Sequence, residues 1–323
     1  MGSYEELSVV AFGGGTGLPV LLRGLRDKVG ELTAVVSVAD DGGSSGRLRQ
    51  ELGVAPPGDV RNCLVALAGR RKLAEVFNYR FEGGGGELSD HSVGNIIIAA
   101  LSDMAGGFCE GVEQASRFLR IKGRVYPAAT QSLTLVVTHS DGSVTRGESV
   151  VREVGKAVCR VEVEPVGAEA PSGVICAIKR ADVVVLSPGS LFTSTIPALL
   201  GGGVKEALGE FSGPILYAAN MMTQPGETVG FTLSEHLRAL AEHVGGGVIT
   251  DVLLHSGGLP EELLERYAAE GAAPVENDLE EVEKKLGVRV RESDLLSRAA
   301  EDGLRHDPER LAEEVLEAAL VRL

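Results

Sequence analysis

The stretch that decides the fold is Val9-Val10-Ala11-Phe12-Gly13-Gly14-Gly15-Thr16-Gly17. A short apolar run, typical of a buried strand, stops at the glycines, and Leu18 to Lys28 then shows helical spacing. A strand, a glycine turn and a helix together direct backbone N–H groups and the positive end of a helix dipole at an anion. Glycine suits such a turn because a Cβ would block close approach and disfavour a positive φ. The stretch therefore predicts a site for a phosphate-bearing ligand.

Two established phosphate-binding fingerprints do not fit this stretch. The dinucleotide motif G-x-G-x-x-G needs glycine or alanine three residues after Gly15 or Gly17, where Leu18 and Val20 stand. A Walker A loop needs a lysine followed by serine or threonine directly after its last glycine, and neither is present. The loop is thus of the phosphate-binding type without being either standard version. A tight turn with no ligand is the alternative.

The composition of the 323-residue chain bounds the class of protein. A hydrophobic content of 44% and a charged content of 24% are those of a globular protein. A net charge of −15 argues against a nucleic-acid partner or an anionic membrane surface, and an aromatic content of 4% argues against base-stacking platforms. No apolar run approaches the ~20 residues of a membrane span. The four cysteines lack C-x-x-C spacing and no signal peptide is evident, so we expect reduced thiols in a cytoplasmic protein.

Strand-like and helical stretches alternate along most of the chain. This alternation predicts parallel strand pairing with right-handed crossovers. Leu133 to Thr138 and Ser143 to Val150 flank an Asp-Gly turn and indicate an antiparallel hairpin. We expect one α/β domain over residues 1–323, with a hairpin insertion around 131–165 and a C-terminal helical segment around 259–323. A glycine-rich joint is expected at Gly83 to Gly86.

Two helix starts can also be predicted. Asp307 as N-cap, with Pro308 at the first helical position, begins the last helix. Ser234 is predicted to cap a helix that ends at Val244.

Five polar, glycine-bearing loops each follow a strand-like run, and they begin at Gly13, Asp40, Ser187, Asn220 and His255. Parallel strands end at the same edge of a sheet, and open α/β sheets bind ligands in a crevice outside that edge. The alternative, a solvated turn, explains any one of these loops well but all five poorly. We therefore expect the five loops to share one site.

The second of these loops carries the adjacent carboxylates Asp40 and Asp41. They stand about as far beyond Gly17 as the acidic residue that binds the ribose in a dinucleotide-binding unit. The pair could equally hold Mg²⁺, activate a hydroxyl, or contact a ribose or base. With Gly42 and Gly43 it could also be an ordinary turn.

Arginine, histidine and hydroxyl side chains supply further candidates. Arg47 and Arg61 could donate to phosphates or could pair with surface carboxylates. His91 could contact a phosphate, act as a general acid, or form a hydrogen bond within its own turn. The serines and threonines from Ser187 to Ser194 offer a second anion site at a helix start. No G-x-S-x-G nucleophile elbow and no zinc-type histidine spacing is present.

The motifs, in this order, closely resemble those of the YvcK branch of the CofD-like proteins. They cover nearly the whole chain and are Phe12-Gly-Gly-Gly-Thr-Gly17, Asp40-Asp-Gly-Gly-Ser-Ser-Gly-Arg-Leu-Arg49, Pro57-Gly-Asp-Val-Arg-Asn62, His91-x-x-Gly94-Asn95, Pro188-Gly-Ser-Leu-x-Thr-Ser194, Asn220-x-Met-Thr-Gln-x-Gly-Glu-Thr228, Arg266-Tyr267 and Arg305-His306-Asp307. The resemblance implies a Rossmann-like three-layer α/β/α fold with a mainly parallel sheet. It also implies a bacterial cytoplasmic gluconeogenesis factor, tied to cell shape on gluconeogenic carbon sources. It also implies binding of UDP-sugars, notably UDP-N-acetylglucosamine, with no required cofactor. By position, Tyr267 and Arg305 match that branch's nucleotide-sugar contacts.

The sister CofD branch implies an alternative. Its members transfer a phospholactyl or phosphoenolpyruvyl group from a guanosine diphosphate-linked donor to a deazaflavin, with Mg²⁺. Asp40 and Asp41 match its acidic loop, so they would be the metal ligands or base of a transferase. We favour a nucleotide-sugar binding protein because the resemblance is to the non-catalytic branch. A homo-oligomer and an unidentified protein partner are also expected, whereas nucleic acid and membrane are not.

The residues expected to bind the ligand lie in the five loops and in the motifs of the resemblance. They are Gly13, Gly14, Gly15, Thr16, Gly17, Asp40, Asp41, Gly42, Gly43, Ser44, Ser45, Arg47, Asp59, Arg61, Asn62, His91, Asn95, Ser187, Gly189, Ser190, Thr193, Ser194, Asn220, Thr223, Gln224, Glu227, Thr228, Tyr267 and Arg305.

Overall fold

The computed structural model describes residues 4–81, 88–297 and 303–320. The joint predicted at Gly83 to Gly86 lies outside them. The strands are β1 (Ser8–Gly13), β2 (Glu31–Val36), β3 (Arg124–Pro127), β4 (Thr134–His139), β5 (Val144–Arg146), β6 (Val158–Glu164), β7 (Val183–Leu186), β8 (Ile215–Ala218), β9 (Asp251–His255) and β10 (Arg289–Ser293). The helices are α1 (Gly17–Leu25), α2 (Gly43–Leu52), α3 (Gly58–Leu67), α4 (Arg71–Asn78), α5 (Val93–Ala105), α6 (Phe108–Leu119), α7 (Glu148–Val154), α8 (Ser172–Arg180), α9 (Ile196–Leu199), α10 (Val204–Glu210), α11 (Leu233–Val244), α12 (Glu261–Ala269) and α13 (Pro308–Leu320). Short 3-10 or π-helical turns cover Tyr4–Glu6, Leu191–Thr195 and Glu281–Leu286.

The main sheet has the strand order β10-β9-β8-β7-β1-β2-β3, and each neighbouring pair is parallel. Helices flank it on both faces, which confirms the predicted three-layer α/β/α class. From β1 the chain moves outward to β2 and β3, and it then returns to the other side of β1 as β7. The strand order therefore reverses between β1 and β7. In open α/β sheets such a switch point opens a crevice at the carboxyl ends of the strands.

The central strands are apolar because both of their faces are covered. Val9 to Phe12 of β1 are fully buried, as are the neighbouring residues Val183 to Val185 of β7. Helix α13 packs against α1, with Leu311 and Val315 in the core. Its predicted start is confirmed, since one carboxylate oxygen of Asp307 accepts hydrogen bonds from the amides of Glu309 and Arg310, each at 3.0 Å.

The insertion forms a three-stranded antiparallel sheet in the order β5-β4-β6. The hairpin was therefore predicted correctly, but its second strand is shorter than the predicted Ser143 to Val150. Gly147, at φ 93°, ends β5, and its amide donates to the carbonyl of Leu135 at 2.8 Å. Helix α7 follows at once, so the apolar residues after Gly147 lie on a helix and not on a strand.

Two further predictions need correction. Thr232, not Ser234, caps α11, because the Thr232 side chain and Glu235 form a reciprocal capping box, with the Thr232 amide 2.8 Å from the Glu235 carboxylate. The C-terminal segment predicted as helical also contains a strand, β10, which extends the main sheet beside β9. Among the described residues, no helix has both the length and the apolar character needed to cross a membrane.

Candidate functional site

The five predicted loops do leave one edge of the sheet. They follow β9, β8, β7, β1 and β2, which are consecutive neighbours in the sheet and run in parallel. The two central loops, after β1 and β7, flank the switch point itself. The five loops therefore lie at one edge of the sheet, as expected, and that they share one site stays a prediction. Many of their side chains fall into two groups, described below.

Glycines let the loops after β1 and β7 touch each other. A Cβ on Gly17 would overlap the backbone carbonyl of Pro188, and a Cβ on Gly13, at φ 154°, would overlap the Ser187 hydroxyl. These two glycines are thus required by the neighbouring loop, whatever ligand the site takes. The predicted residue Ser187 accordingly packs against Gly13 and is fully buried.

The first group of residues surrounds a pocket of about 240 Å³ at the switch point. It is formed by the start of α1, the loops after β7 and β8, α12 and the chain just before α13. Its lining residues are Thr16, Gly17, Val20, Pro188, Gly189, Asn220, Met221, Met222, Thr223, Gln224, Tyr267, Leu304, Arg305 and His306. We call this the switch-point pocket. No carboxylate occurs among these residues, although the whole chain has a net charge of −15.

Side-chain amides hold the loops of the switch-point pocket in register. The Asn220 side chain accepts a hydrogen bond from the Gly189 amide at 2.9 Å and donates one to the Gly189 carbonyl at 2.6 Å. Gln224 donates to the Ser190 hydroxyl at 2.9 Å, which ties the same two loops together. The Gln224 side-chain oxygen is buried without a hydrogen-bond partner. Asn220 is therefore a positioning residue, whereas Gln224 keeps a free acceptor.

Tyr267, on α12, and Arg305, just before α13, both line the pocket. The Tyr267 hydroxyl accepts a hydrogen bond from the Leu304 amide at 3.3 Å, which fixes the ring beside the segment carrying Arg305. The Arg305 guanidinium is exposed and has no ion-pair partner among the described residues. Burial lowers the pKa of Arg23, and the nearby charge of Arg305 lowers that pKa further. Arg305 thus adds a cation to a pocket whose lining residues include no carboxylate.

His306 lines the pocket but is not in the predicted ligand-binding set. Burial, helped by the charge of His255, lowers the pKa of His306 to about 4, so the imidazole is neutral at pH 7. Its Nε2 atom is buried without a partner. Sequence reasoning also missed the apolar lining, such as Met221, Met222 and Leu304, because nothing in their local pattern distinguishes them from core residues.

Two predicted anion positions already hold carboxylates of the protein. The Gly15 amide donates to Asp59 at 2.6 Å, and the same carboxylate oxygen would lie 2.6 Å from a Cβ on Gly14. Near Ser194, the Phe192 amide and the Thr193 hydroxyl donate to Glu227 at 3.2 and 3.0 Å. In this structure, therefore, the Gly14–Gly15 turn and the Leu191–Thr195 turn are not open to a phosphate. Thr16 and Gly17 remain in the wall of the pocket.

Thr228 is a structural residue of the loop after β8. It is fully buried, and its hydroxyl accepts from the Gln224 amide at 2.9 Å. Thr223 has a similar structural role, because its hydroxyl accepts a hydrogen bond from the Ala273 amide at 2.9 Å. Thr223 also lines the pocket.

The second group of predicted residues gathers where α2, α3 and α5 begin. We call this place the three-helix junction. It contains Ser44, Ser45, Arg47, Asp59, Arg61, Asn62, His91 and Asn95. The Ser44 hydroxyl lies 2.9 Å from Nδ1 of His91, and burial, followed by the charge of Arg47, lowers the pKa of this histidine. These residues do not line the switch-point pocket, although Asp59 bonds the Gly15 amide next to Thr16 of the pocket wall.

The adjacent carboxylates Asp40 and Asp41 are not equivalent. Asp40 accepts from the Gly42 amide at 2.9 Å, an ordinary turn within its own loop, and Gly43 is the first residue of α2. Asp41 instead accepts from the Ser149 amide at 2.8 Å, where it caps the start of α7 in the insertion. Asp41 thus fits a structural role and Asp40 is the better candidate for Mg²⁺. Within the described residues, no group of three histidine, cysteine or acidic side chains could hold a metal ion.

Asp41→Ala is expected to loosen the insertion and to cost about 1 kcal/mol of stability, because α7 loses its N-terminal acceptor. Amide hydrogen exchange over Glu148–Val154 should become faster, while Asp40→Ala should leave that exchange unchanged. Equal exchange rates in the two variants would contradict the assignment.

The comparisons with known proteins agree with this fold. Residues 9–296 match the family model described as 2-phospho-L-lactate transferase CofD, so the chain belongs to the CofD family. Within it, the chain is similar to curated proteins named gluconeogenesis factor. It is 44% identical to that of Halalkalibacterium halodurans over 97% of each chain, and 42% identical to that of Bacillus subtilis, again over 97% of each. A crystal structure of a protein from Bacillus halodurans superimposes with a TM-score of 0.93 at 43% identity, covering 96% of this chain and 99% of that one.

Proposed function

We propose that this protein binds a uridine diphosphate sugar of the UDP-N-acetylglucosamine type in the switch-point pocket and acts in the cytoplasm as a non-catalytic regulator of gluconeogenic growth and cell shape. The main observation that supports the proposal is the charge of the residues that line the pocket. An acidic protein lines this one pocket with Arg305 and no carboxylate, which suits an anionic ligand. The same lining lacks the acidic group that a transferase would use as a base or metal ligand.

The other lining residues suit the parts of a nucleotide sugar. The Tyr267 ring offers an aromatic face to a base, with Met221, Met222 and Leu304 as further apolar surface. The first turn of α1 presents amides without intrahelical acceptors, and with Arg305 it would favour the diphosphate. Pockets that enclose a drug-sized ligand usually measure roughly 300–1,000 Å³. At about 240 Å³, the pocket would enclose the nucleoside end and leave the sugar outside.

Calorimetric titration with UDP-N-acetylglucosamine, GDP and NAD, each with and without Mg²⁺, tests the proposal. We expect UDP-N-acetylglucosamine to bind without Mg²⁺ and more tightly than the other two. Mg²⁺-dependent binding of GDP together with no binding of the UDP-sugar would favour the transferase alternative, with Asp40 as the metal-binding carboxylate.

Tyr267→Ala should weaken UDP-N-acetylglucosamine binding by roughly 10-fold to 100-fold, since loss of a base–aromatic stack costs about 1–3 kcal/mol. Tyr4→Ala is the matched control, because Tyr4 precedes β1 at the opposite edge of the sheet and should keep full affinity. Equal affinities in both variants would exclude the Tyr267 face as the base site.

A further inference from the structure

The three-helix junction brings together the positive ends of three helix dipoles. Helices α2, α3 and α5 all start there, and each is long enough to have a substantial dipole. Hydrogen bonds join the three starts: the Ser45 hydroxyl accepts from the Gly58 amide at 3.1 Å, and Asn95 donates to the Ser44 hydroxyl at 3.1 Å. The helix starts are therefore held together as one arrangement.

Three arginines add full charges to these partial ones. Arg61 is 6% exposed, and its Nη2 atom donates a hydrogen bond to the Asn62 side-chain oxygen at 2.7 Å. Arg47 and Arg80 donate to the carbonyls of Ser89 and Asp90, at 2.6 and 2.7 Å. Among the described residues, none of the three guanidinium groups has a carboxylate within ion-pair distance. Of the three, only Arg61 is buried, since Arg47 is partly exposed and Arg80 is exposed. A buried arginine is normally paired, so Arg61 is the residue that a bound anion would satisfy.

Two buried polar atoms at the junction lack partners. They are Nε of Arg61, a donor, and the side-chain oxygen of Asn95, an acceptor on a residue that is 1% exposed. Burial and the charge of Arg80 lower the pKa of Arg61 to about 10, so it is still a cation at pH 7. A buried cation with an unsatisfied N–H is costly unless an anion completes it.

Carboxylates also lie nearby. The charges of Glu51 and Asp90 oppose the burial that lowers the pKa of His91, and Asp59 and Asp40 accept hydrogen bonds from backbone amides. Asp59 raises the pKa of Arg61 by its charge, while one of its oxygens accepts from Gly15 on the side of the glycine loop. Asp40 accepts from its own Gly42 amide. One oxygen of the Asp59 carboxylate thus bonds the glycine loop, whose next residues, Thr16 and Gly17, line the switch-point pocket.

We propose that the three-helix junction is a second binding site, which takes the phosphate or carboxylate group of a small metabolite separate from the nucleotide sugar. Arg61 and Arg47 contact the anionic group, and the Asn95 oxygen accepts from a hydroxyl or N–H of the same ligand. The site does not depend on the proposed function, because no residue of the switch-point pocket contributes to it.

Thermal unfolding in inorganic phosphate and in malonate tests this site with the full chain. Phosphate, malonate or both should raise the unfolding midpoint of the unmodified protein and, equally, of Tyr267→Ala. A larger rise with phosphate identifies a phosphorylated ligand, and a larger rise with malonate identifies a carboxylate. The rise should vanish in Arg61→Met and fall by at least half in Arg47→Gln, whose partly exposed side chain makes misfolding a lesser concern. Arg124→Gln, at the opposite edge of the sheet, is the control and should keep it.

Three results would overturn the proposal. They are no stabilisation by either anion, a rise that persists in Arg61→Met and Arg47→Gln, and a rise that is lost in Tyr267→Ala. Affinity for UDP-N-acetylglucosamine should stay within twofold in Arg47→Gln, and a larger loss would mean that the junction binds the nucleotide sugar itself. If anions stabilise the protein but UDP-N-acetylglucosamine does not bind, the proposed function is wrong and the second binding site is still supported.

Discussion

Gly17→Ala is expected to destabilise the protein by about 3 kcal/mol or more, the largest effect of any single methyl group at the site. The added Cβ would overlap the Pro188 carbonyl, which belongs to the backbone and cannot rotate away as a side chain could. To relieve the overlap, the loops after β1 and β7 would have to separate at the switch point. The slightly better helix propensity of alanine, about 1 kcal/mol, would offset only part of this cost.

Gly209→Ala is the matched control for this substitution. Gly209 lies in α10 with nothing within 4 Å of a built Cβ, so the same change should be neutral or stabilising by about 0.5 kcal/mol. Urea unfolding of both variants gives the two free energies directly. Because Gly17 and Gly189 line the same pocket, Gly17→Ala should also weaken UDP-N-acetylglucosamine binding. A Gly17→Ala protein as stable as the unmodified one would show that the loops are not in contact.

The sheet and its functional edge could be predicted because their signals are local. Each central strand, such as Val183–Leu186, is a short apolar run that ends in a glycine-bearing loop, and chain order alone then gives parallel crossovers. The rule for open sheets adds the edge at which ligands bind. These predictions do not require knowing which side chains contact each other in the folded protein.

The site could be predicted only in outline because its details are tertiary contacts. No sequence pattern shows that Asp59 accepts from Gly15, or that Asp41 caps a helix of the insertion. Both carboxylates carry the residue type expected at a ligand site, yet each completes the fold. For the same reason the predicted residues looked like one site, whereas the structure divides them between the switch-point pocket and the three-helix junction.

Strand β10 was missed because its sequence, Arg289-Val-Arg-Glu-Ser293, has the charge of a surface loop. The partner that stabilises it is Asp251 of β9, whose side chain is almost fully buried. Arg291 donates to that carboxylate at 3.0 Å, and Arg289 lies 3.5 Å from the same oxygen. Despite its charge, β10 is stable as the outermost strand of the main sheet, because its arginines pair with the buried carboxylate of Asp251.

Arg291→Met is accordingly expected to cost about 3 kcal/mol, since it leaves Asp251 buried without its best partner. Arg289→Met is the control and should cost under about 1 kcal/mol, because the Arg289 side chain is 46% exposed and its contact with Asp251 is longer. Adding Asp251→Asn to Arg291→Met should restore part of the loss, because the neutral amide no longer needs a cation. Urea unfolding of the unmodified protein, Asp251→Asn, Arg291→Met and their double variant measures this coupling, and additive losses would contradict it.

The same ion pair should also affect the switch-point pocket, because β10 leads into the segment that holds Arg305. Past β10, the Leu295 carbonyl accepts from the Asp307 amide at 2.7 Å, and the Ser297 amide donates to the Arg305 carbonyl at 2.8 Å. These bonds fix the backbone of Arg305 relative to the strand. Arg291→Met should therefore weaken UDP-N-acetylglucosamine binding although Arg291 is not among the pocket residues, and Arg289→Met should not. Unchanged affinity in a destabilised Arg291→Met protein would mean that Arg305 is held in place by α13 rather than by β10.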